Sequence, residues 1–455
     1  MTNVLFMMAD ELSWWALERA QMPNLVRLRD RGTNFTNAYT PSPICVPTRA
    51  AIATGKEVHE IGCWSSAEAY DGTGRSWGHA LQDAGVAPVS IGKLHYRSGA
   101  DDTGFVEQIE PVHILNGEGW VQALLRNPTA PYPTAHTLAR DIGPGNSNYI
   151  DFDRRVTAEA VAWLNDPIRK AAPWCSFVSW LAPHFPLIAP PTDFALYDPA
   201  DYEAGPQTVP DHPVLQGLVD FFSHDVHFTP ETRGVAAASY HGLCTFLDRQ
   251  VGQVLGALEA SGQAEDTLII FTSDHGEMLG EKGYWTKSVM YDSAARVPLF
   301  VAGPGFEQGV VDSPVSLIDI APTICAVMGA SCEGFSGVDL RGPDPDRAVL
   351  SEYHDGGAIT GMTMVRWDRW KLVHYANGFA PQLFDMVDDP QELDDLAQTR
   401  ANVLAEGLRR LYALMDPDAA SAQAFADQAK RVAAQGGAEA ILAKEMFDYT
   451  PADSR

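Results

Sequence analysis

The stretch PSPICVPTRAAIATG, residues 41–55, places a cysteine at the start of a predicted helix with an arginine one turn later. The run after Cys45 has helical composition and would end at Gly55, and Pro47 is tolerated in a first helical turn. Cys45 and Arg49 are i and i+4, so both side chains would point to the same side. A thiol, a guanidinium and free backbone N–H groups would then face an anion-sized space. The alternative is a buried structural cysteine near a surface arginine, because free cysteines are mostly buried and inert.

Two acidic side chains and a histidine stand directly after apolar runs of strand character. Asp10 follows NVLFMMA, and Asp274 and His275 follow TLIIFTS. Carboxylate oxygens and imidazole nitrogen suit a divalent cation, with Ca²⁺, Mg²⁺ and Mn²⁺ as candidates. The alternative for the SDHGE stretch is a strand-to-helix turn in which Asp274 caps a helix.

Four basic side chains are candidates for binding an anion: Lys93, His95, His184 and Lys287. Lys93 and His95 follow the apolar run APVSIG, and as i and i+2 of an extended segment they would share a face. His184 lies in APHFP, where the two prolines restrict the backbone. Taken singly, a lysine or histidine in a loop is more often solvated surface.

The scaffold that must position these residues is predicted from the apolar runs. Four of them, NVLFMMA, APVSIG, WCSFVSWLAP and TLIIFTS, alternate with helical stretches such as PNLVRLRDRG, RRVTAEAVAWLND and YHGLCTFLDRQVGQVLGALEASG. Continuous apolar strands between helices indicate a mainly parallel sheet covered on both faces. The ligand crevice of an open α/β sheet lies at the carboxyl ends of its strands, so all four polar strand ends should meet at one edge.

Near residue 340 the pattern changes. MTMVRWDRWKLVHY predicts two short strands around a tight turn at Asp368, and together with PQLFDMVDDPQELDDLA it indicates a small antiparallel sheet with a closing helix. We therefore predict an α/β fold with two domains. Residues 1–340 would form a large, mostly parallel mixed sheet sandwiched by helices, and residues 341–455 a smaller C-terminal domain with an antiparallel sheet, a packed helix and a helical tail.

Composition restricts the partners and the compartment. The net charge of −27 over 455 residues argues against nucleic acid or an anionic membrane as partner, so an anion site must be a local basic pocket. The six cysteines are scattered without a CxxC pair, which argues against a thiolate metal cage or a disulfide framework. MTNVLFMMADE predicts a strand rather than a signal peptide, and no stretch approaches the roughly 18 apolar residues of a membrane span. We expect a cytoplasmic protein, as a monomer or a homo-oligomer.

Together these motifs resemble the sulfatases of the alkaline phosphatase superfamily. CVPTR is similar to the C-x-P-x-R signature in which the cysteine is oxidised after translation to formylglycine. The resemblance extends over nearly the whole chain, through MPNLVRLRDRGTNFTNAYT, GKLH, APHFP, SDHGEMLGEKGYWTKS, ARVPLFV and KLVHY. GKLH and SDHGEMLGEKGYWTK most resemble the choline-sulfatase and phosphonate-monoesterase branch.

The resemblance implies a covalent mechanism at Cys45. A formylglycine-generating maturation enzyme would convert Cys45 to 3-oxoalanine (formylglycine), whose aldehyde is hydrated to a geminal diol. One hydroxyl, bound to the metal, would attack sulfur in line, and the second would expel sulfate by C–O cleavage. The implied ligands of one divalent metal ion, Ca²⁺ or Mn²⁺ with Mg²⁺ as a third candidate, are Asp10, the modified Cys45, Asp274 and His275.

The resemblance also implies roles for the basic residues. Arg49 would hold the diol and balance charge. The sulfate oxygens would be bound by Lys93, His184 and Lys287. His95 would be the base for the elimination, and His184 or Lys287 would protonate the leaving oxygen.

Two positions depart from the pattern of many sulfatases. Glu11 stands where many relatives carry a second aspartate, and we leave it off the set of metal ligands. His275 replaces an asparagine, which favours a softer transition metal such as Mn²⁺.

The predicted function is hydrolysis of a sulfuric ester of aryl, alkyl or choline type. The alternative in the same fold is hydrolysis of a phosphonate monoester or a phosphodiester. A non-catalytic binding protein would require Cys45 to stay a thiol, and a cysteine-dependent phosphatase would need the arginine further along the chain. Aromatic residues near the motif loops would either form a cage for a quaternary ammonium leaving group or, as we expect for most, lie in the core: Trp14, Trp64, Trp77, Tyr96, Trp120, Phe185 and Trp285.

Overall fold

The computed structural model of the chain describes residues 2–126, 132–205, 207–447 and 449–452. Its strands, in chain order, are β1 (Asn3–Asp10), β2 (Thr33–Phe35), β3 (Ala38–Tyr39), β4 (Pro88–Lys93), β5 (Glu107–Val112), β6 (Ile142–Pro144), β7 (Cys175–Pro183), β8 (Leu187–Ala189), β9 (Thr267–Ser273), β10 (Arg296–Val297), β11 (Leu299–Ala302), β12 (Gly309–Val311), β13 (Val315–Ser316), β14 (Ala348–Tyr353), β15 (Met362–Trp367), β16 (Trp370–Tyr375) and β17 (Gln382–Asp385).

The α-helices of the described residues, in chain order, are α1 (Ala16–Arg19), α2 (Pro23–Arg31), α3 (Cys45–Thr54), α4 (Val58–Ile61), α5 (Trp77–Asp83), α6 (Thr137–Arg140), α7 (Asn148–Asn165), α8 (Pro191–Phe194), α9 (Pro213–Phe222), α10 (Pro230–Ala260), α11 (Asp292–Ala295), α12 (Ile320–Met328), α13 (Ala401–Leu414), α14 (Pro417–Ala434) and α15 (Ala438–Leu442). None of these helices is both long and apolar enough to span a membrane.

Eight strands form the large sheet, in the order β12-β2-β11-β9-β1-β7-β4-β5. The five neighbours β9, β1, β7, β4 and β5 are parallel, whereas β11 is antiparallel to both β9 and β2. The predicted mostly parallel mixed sheet is therefore confirmed. Two short sheets, β10-β3-β13 and β6-β8, lie outside it.

Strand β1 shows why this sheet is covered on both faces. All eight of its residues are buried. Its side chains alternate between two separate cores, because successive side chains of a strand point to opposite faces of the sheet. Leu5 and Met7 pack with residues of α7 and α10. Phe6 packs on the opposite face with residues of α3 and α12, among them Ile324.

The predicted helices are present; α2 begins at Pro23 as predicted, whereas α7 and α10 begin earlier than the stretches that predicted them. Helix α10 begins at Pro230, well before the apolar stretch that predicted it, because the Thr229 side chain caps it by accepting a hydrogen bond from Thr232 N–H. Helix α3 begins at Cys45 and ends at Thr54, and Gly55 caps it with a left-handed φ of 61°. Glycine adopts that conformation without a steric penalty, so the predicted helix stop is confirmed.

The C-terminal sheet has the antiparallel order β14-β15-β16-β17. Trp367 pairs with Trp370 across a two-residue turn, and Asp368 in that turn has a φ of 43°. Leu411 of α13 packs on this sheet, in a buried cluster that also contains Ala51 of α3 and Leu350 of β14. The antiparallel sheet with a packed helix is confirmed, with four strands, and its core is continuous with that under α3.

Candidate active site

The strand ends with chemically capable side chains meet at one edge of the large sheet. Asp10 is the last residue of β1, and Lys93 is the last residue of β4. His184 follows β7, and Asp274 follows β9. Because these four strands are parallel neighbours, their carboxyl ends lie together.

Cys45, the first residue of α3, faces this edge with its thiol. Its Sγ lies 3.5 Å from Asp10 Oδ1 and 3.1 Å from His275 Nε2. Lys287 Nζ is 3.4 Å from the same sulfur. Burial raises the pKa of Cys45 to about 12, although the positive charge of Lys287 opposes this rise. An unmodified Cys45 is therefore a neutral thiol and a poor nucleophile near neutral pH.

The four predicted metal ligands converge. The ligand atoms of Asp10, Cys45, Asp274 and His275 lie within 4.8 Å of one another, and all four residues are buried. His275 Nδ1–H donates to Gly276 O at 3.1 Å, which leaves the Nε2 lone pair for the cluster. Burial lowers the pKa of His275 to about 3, so its imidazole is neutral, as metal binding requires. Two carboxylates, a neutral imidazole and a fourth donor at position 45 fit a divalent cation.

Two buried cations lie against the carboxylates of this cluster. Arg49 is 2% exposed; its Nε donates to Asp274 Oδ2 at 2.8 Å, and its Nη1 donates to Lys93 O and Ser179 Oγ. Its Nη2 lies 3.6 Å from Asp10 Oδ2. Lys93 Nζ forms a close ion pair with the same Asp10 carboxylate. Arg49 is thus placed to balance charge, as the resemblance implied.

Lys287 and His184 form a hydrogen-bonded pair next to the cluster of predicted metal ligands. His184 Nδ1–H donates to Phe185 O at 2.7 Å, so its Nε2 accepts from Lys287 Nζ at 2.8 Å. Burial and the charge of Lys287 lower the pKa of His184 well below its usual range. His184 is therefore neutral with its only N–H turned away, and Lys287 carries the protons of this pair.

Glu11 contacts both members of this pair. One of its carboxylate oxygens lies 3.3 Å from Lys287 Nζ and 3.4 Å from His184 Nε2. Burial raises the pKa of Glu11 well above its usual range, and the neighbouring Glu277 carboxylate adds to the rise. The side chain thus contacts the predicted sulfate-binding pair, and Asp10, Glu11 and His184 form a second group of close potential ligands.

The loop that carries Lys287 is held by Glu277, a residue that the sequence reasoning missed. Glu277 Oε1 accepts hydrogen bonds from the N–H groups of Leu279 and Thr286, both at 2.6 Å. Thr286 and Ser288, on either side of Lys287, have φ values of 65° and 80°. Non-glycine residues keep such conformations only where their surroundings hold them. Glu277 lies inside the SDHGE stretch, which was the only available signal for it.

His95 occupies a different position from the one predicted. Its φ is 55°, so the segment after β4 is not extended and does not place Lys93 and His95 on one face. Lys93 lies beneath Asp10, whereas His95 lines the pocket above Cys45. His95 Nε2 lies 3.2 Å from Thr450 Oγ1. The C-terminal segment therefore reaches the predicted catalytic base, which no local motif indicated.

The pocket above Cys45 has a volume of about 140 Å³. Cys45, His95, His184 and Lys287 line it, but Lys93 does not. Aromatic side chains supply much of the remaining wall: Trp120, Tyr132, Tyr149, Phe185, Phe222, Phe447 and Tyr449. Of the seven aromatic residues singled out in the sequence, Trp120 and Phe185 line this pocket and the other five do not. The expectation that most of the seven lie in the core is confirmed, because four of them are buried: Trp64, Trp77, Tyr96 and Trp285.

The helix-cap alternative for Asp274 is wrong. Strand β9 ends at Ser273, and residues 274–280 form a loop without a helix. Asp274 Oδ1 instead accepts from the N–H groups of His275 and Glu11, at 3.0 and 3.2 Å. The two backbone bonds orient the carboxylate toward the cluster.

A second residue that sequence reasoning missed supports the end of β7. Asp153 of α7 is fully buried, and its carboxylate oxygens accept from Leu181 N–H at 2.7 Å and Ala182 N–H at 2.8 Å. These amides directly precede Pro183 and His184. Asp153 therefore fixes the backbone from which His184 projects, and no motif in the sequence marks it.

Comparisons with known protein families cover most of the chain. The family model for Sulfatase matches residues 2–330. A second model, N-sulphoglucosamine sulphohydrolase, C-terminal, matches residues 280–414.

Curated relatives and solved structures agree with these matches. A choline-sulfatase of Rhizobium meliloti (strain 1021) is 30% identical over 424 residues, covering 87% of this chain and 82% of the relative. Arylsulfatase K of Danio rerio is 29% identical, covering 87% and 79%. A phosphonate monoester hydrolase from Silicibacter pomeroyi superposes with a TM-score of 0.73 at 24% identity, covering 91% of this chain and 95% of that structure. That of Agrobacterium radiobacter also has a TM-score of 0.73, at 22% identity and with 98% of each chain covered.

Proposed function

The chain belongs to the sulfatase family and is a hydrolase that acts on sulfate esters, and we propose that it does so with a formylglycine made from Cys45 and one divalent metal ion. The observation that carries this proposal is the convergence of Asp10, Cys45, Asp274 and His275 within 4.8 Å of one another. A maturation enzyme that oxidises Cys45 is part of the proposal.

The metal and the modified residue have separate tasks. A divalent cation held by Asp10, Asp274, His275 and residue 45 would supply a positive charge that makes a bound hydroxyl easier to deprotonate. The hydrated aldehyde would supply two hydroxyls on one carbon, one as nucleophile and one to release sulfate.

The chain's own basic residues bind the anionic group. Lys287 and His184 line the pocket next to Cys45 and bring a positive charge and an imidazole to the sulfate oxygens. Lys93 pairs with Asp10 beneath the pocket, which favours a role in holding that carboxylate. Its contact with the sulfate oxygens stays a prediction.

Lys287 is favoured over His184 as the proton donor to the leaving oxygen. In the tautomer set by Phe185 O, the Nε2 of His184 carries no proton, whereas Lys287 Nζ carries three. Replacing Lys287 by glutamine should lower kcat for alkyl sulfates by about 10²–10⁴-fold, the usual contribution of a general acid. The loss should be smaller for 4-nitrophenyl sulfate, whose leaving oxygen needs little protonation. An equal loss for both substrates would assign Lys287 to binding alone.

His95 is the proposed base for the release of sulfate. Burial and the charges of Lys93 and Arg49 lower its pKa well below the usual range, so the imidazole is neutral and able to accept a proton. Its Nε2 is held near Thr450, and its Nδ1 is buried without a hydrogen-bond partner among the described residues.

The reaction class can be tested with matched substrates. We expect kcat/KM for 4-nitrophenyl sulfate to exceed that for a 4-nitrophenyl phosphonate monoester. The alternative is a phosphonate monoester or phosphodiester hydrolase, for which the solved relatives support the fold alone because they are less than 25% identical. A phosphonate preference of several orders of magnitude would overturn the proposal in favour of that alternative.

A further inference from the structure

A second and larger cavity lies beside the pocket above Cys45. Its volume is about 780 Å³, and both cavities have Trp120 and Tyr132 in their walls. The pocket above Cys45, with about 140 Å³, is smaller than the roughly 300–1,000 Å³ typical of small-molecule sites. The larger cavity lies within that range. A substrate whose reacting group lies above Cys45 would have little room in the smaller pocket for the rest of its atoms.

The same segment of the chain borders both cavities. Leu442 and Met446 line the larger one, while Phe447 and Thr450 line the smaller one. Tyr149 OH donates to Thr450 O at 2.6 Å, which anchors this segment to α7. The two cavities are therefore neighbours with shared walls, and the one with the greater volume is called the larger chamber below.

The wall of the larger chamber is mainly apolar. Leu124, Phe221, Phe425 and Val432 are among its lining residues. An apolar group that leaves water for such a chamber gains free energy in proportion to the area that it buries.

Among the described residues, two cations border this chamber. Arg126 is 2% exposed, its Nε donates to Ala358 O, and its guanidinium stacks 4.0 Å from the ring centre of Phe425. Its Nη1 and Nη2 have no hydrogen-bond partner among the described residues. Lys444 Nζ donates to Glu118 Oε2 at 2.6 Å and to Gln435 Oε1 at 2.7 Å. Lys444 is thus paired, whereas Arg126 brings one cationic group to a wall that is otherwise mainly apolar. The apolar area of the wall is what favours a ligand with an apolar body.

We propose that the larger chamber binds the apolar body of the leaving alcohol, so that the substrates include sulfate monoesters of straight-chain primary alcohols. This proposal rests on the proposed function. In the overall reaction the bond between sulfur and the alkyl oxygen breaks, and that oxygen takes a proton and leaves as a neutral alcohol. One water molecule is consumed, sulfate is released, and no atom changes oxidation state.

The test is a chain-length series of ethyl, butyl, hexyl and octyl sulfate, assayed below micelle-forming concentrations. Each methylene that enters the chamber should raise kcat/KM about fourfold, the factor expected for burying one CH₂ group. Ala429 is an exposed residue of α14 that borders the chamber, so Ala429→Trp should fill it and flatten the series. Ala434→Trp is the matched control, because Ala434 is exposed on the same helix and is not a lining residue; it should leave the series unchanged.

The outcomes separate this proposal from the proposed function. If 4-nitrophenyl sulfate is hydrolysed but kcat/KM does not rise with chain length, the chamber proposal is wrong and the proposed function stands. If no sulfate ester is hydrolysed, the proposed function fails. Calorimetric titration with 1-octanol then tests whether the larger chamber binds an apolar ligand. Binding that Ala429→Trp abolishes and Ala434→Trp keeps supports an apolar chamber; absent binding, or equal binding by all three proteins, overturns it.

Discussion

Lys287 owes its position to Glu277, which makes Glu277 the most informative residue to change. Its Oε1 accepts hydrogen bonds from the N–H groups of both Leu279 and Thr286, and the residue is 1% exposed. Thr286 directly precedes Lys287 and is held at a φ of 65°, which a β-branched residue rarely adopts. Replacing Glu277 by alanine removes the acceptor of both amides at once.

The size of the effect follows from the two amides. Each buried N–H that loses its acceptor costs about 1–3 kcal/mol, so Glu277→Ala should lower the free energy of unfolding by about 2–6 kcal/mol. Glu277→Gln keeps a carbonyl oxygen at the Oε1 position, and its new amide N–H can donate to Glu11. The glutamine variant should therefore lose less than about 1.5 kcal/mol, the net worth of an ordinary hydrogen bond.

Urea unfolding followed by tryptophan fluorescence measures the stability of the three proteins, and steady-state kinetics with 4-nitrophenyl sulfate measures the position of Lys287. We expect KM to rise at least tenfold for Glu277→Ala and to change little for Glu277→Gln. Equal stabilities of the two variants would refute the assignment of both amides to Oε1. An unchanged KM in Glu277→Ala would refute the role of Glu277 in positioning Lys287.

Three further predictions concern the charges and the metal. Arg49→Met leaves the buried Asp274 carboxylate without its 2.8 Å partner. It should lower the free energy of unfolding, measured in urea, by about 3–5 kcal/mol. A free energy of unfolding within about 1 kcal/mol of the wild-type value, the worth of an exposed ion pair, would contradict this. Burial lowers the pKa of His59, but the hydrogen bond and the charge of Glu352 outweigh this effect. The pKa of His59 is therefore above the ordinary 6.5. Its contribution to stability is therefore complete below the unfolded pKa of 6.5 and is lost as pH rises through the folded pKa. The stability difference between wild type and His59→Gln should shrink as pH rises above 6.5, and a difference that grows instead would contradict this sign. A chelator should abolish sulfate-ester hydrolysis and lower the melting temperature, because a metal bound only by the native state stabilises that state. Separate addition of Ca²⁺ and Mn²⁺ then identifies the ion. If chelation changes neither the melting temperature nor the activity, the metal site is contradicted.

The scaffold of the site could be predicted from sequence because its signals are local. A strand buried on both faces needs a continuous apolar run, and a polar residue at the end of that run marks the edge where ligands bind. Asp10, Lys93 and Asp274 carry this signal, and the structure places all three at one edge. Cys45 and Arg49 share one helix, so their common orientation also follows from spacing alone.

The rest depends on contacts between distant parts of the chain. Nothing near Asp153 or Thr450 indicates that they support β7 and contact His95, because their partners lie far away in sequence. The positive φ of His95 overturned the prediction of an extended segment. The larger chamber has walls from several separate elements, so no single stretch of sequence indicates it. The domain boundary near residue 340 and the cytoplasmic location stay predictions.

The central claim, that Cys45 becomes the nucleophile as formylglycine, is tested most directly by mass spectrometry of the tryptic peptide of residues 32–49 from protein made in its native host. Alkylation of free thiols before digestion separates the unmodified form. We predict an unalkylated peptide about 18 Da lighter than the thiol form, in proportion to the hydrolytic activity of the preparation. Fully active protein that yields only the alkylated thiol peptide would contradict the claim.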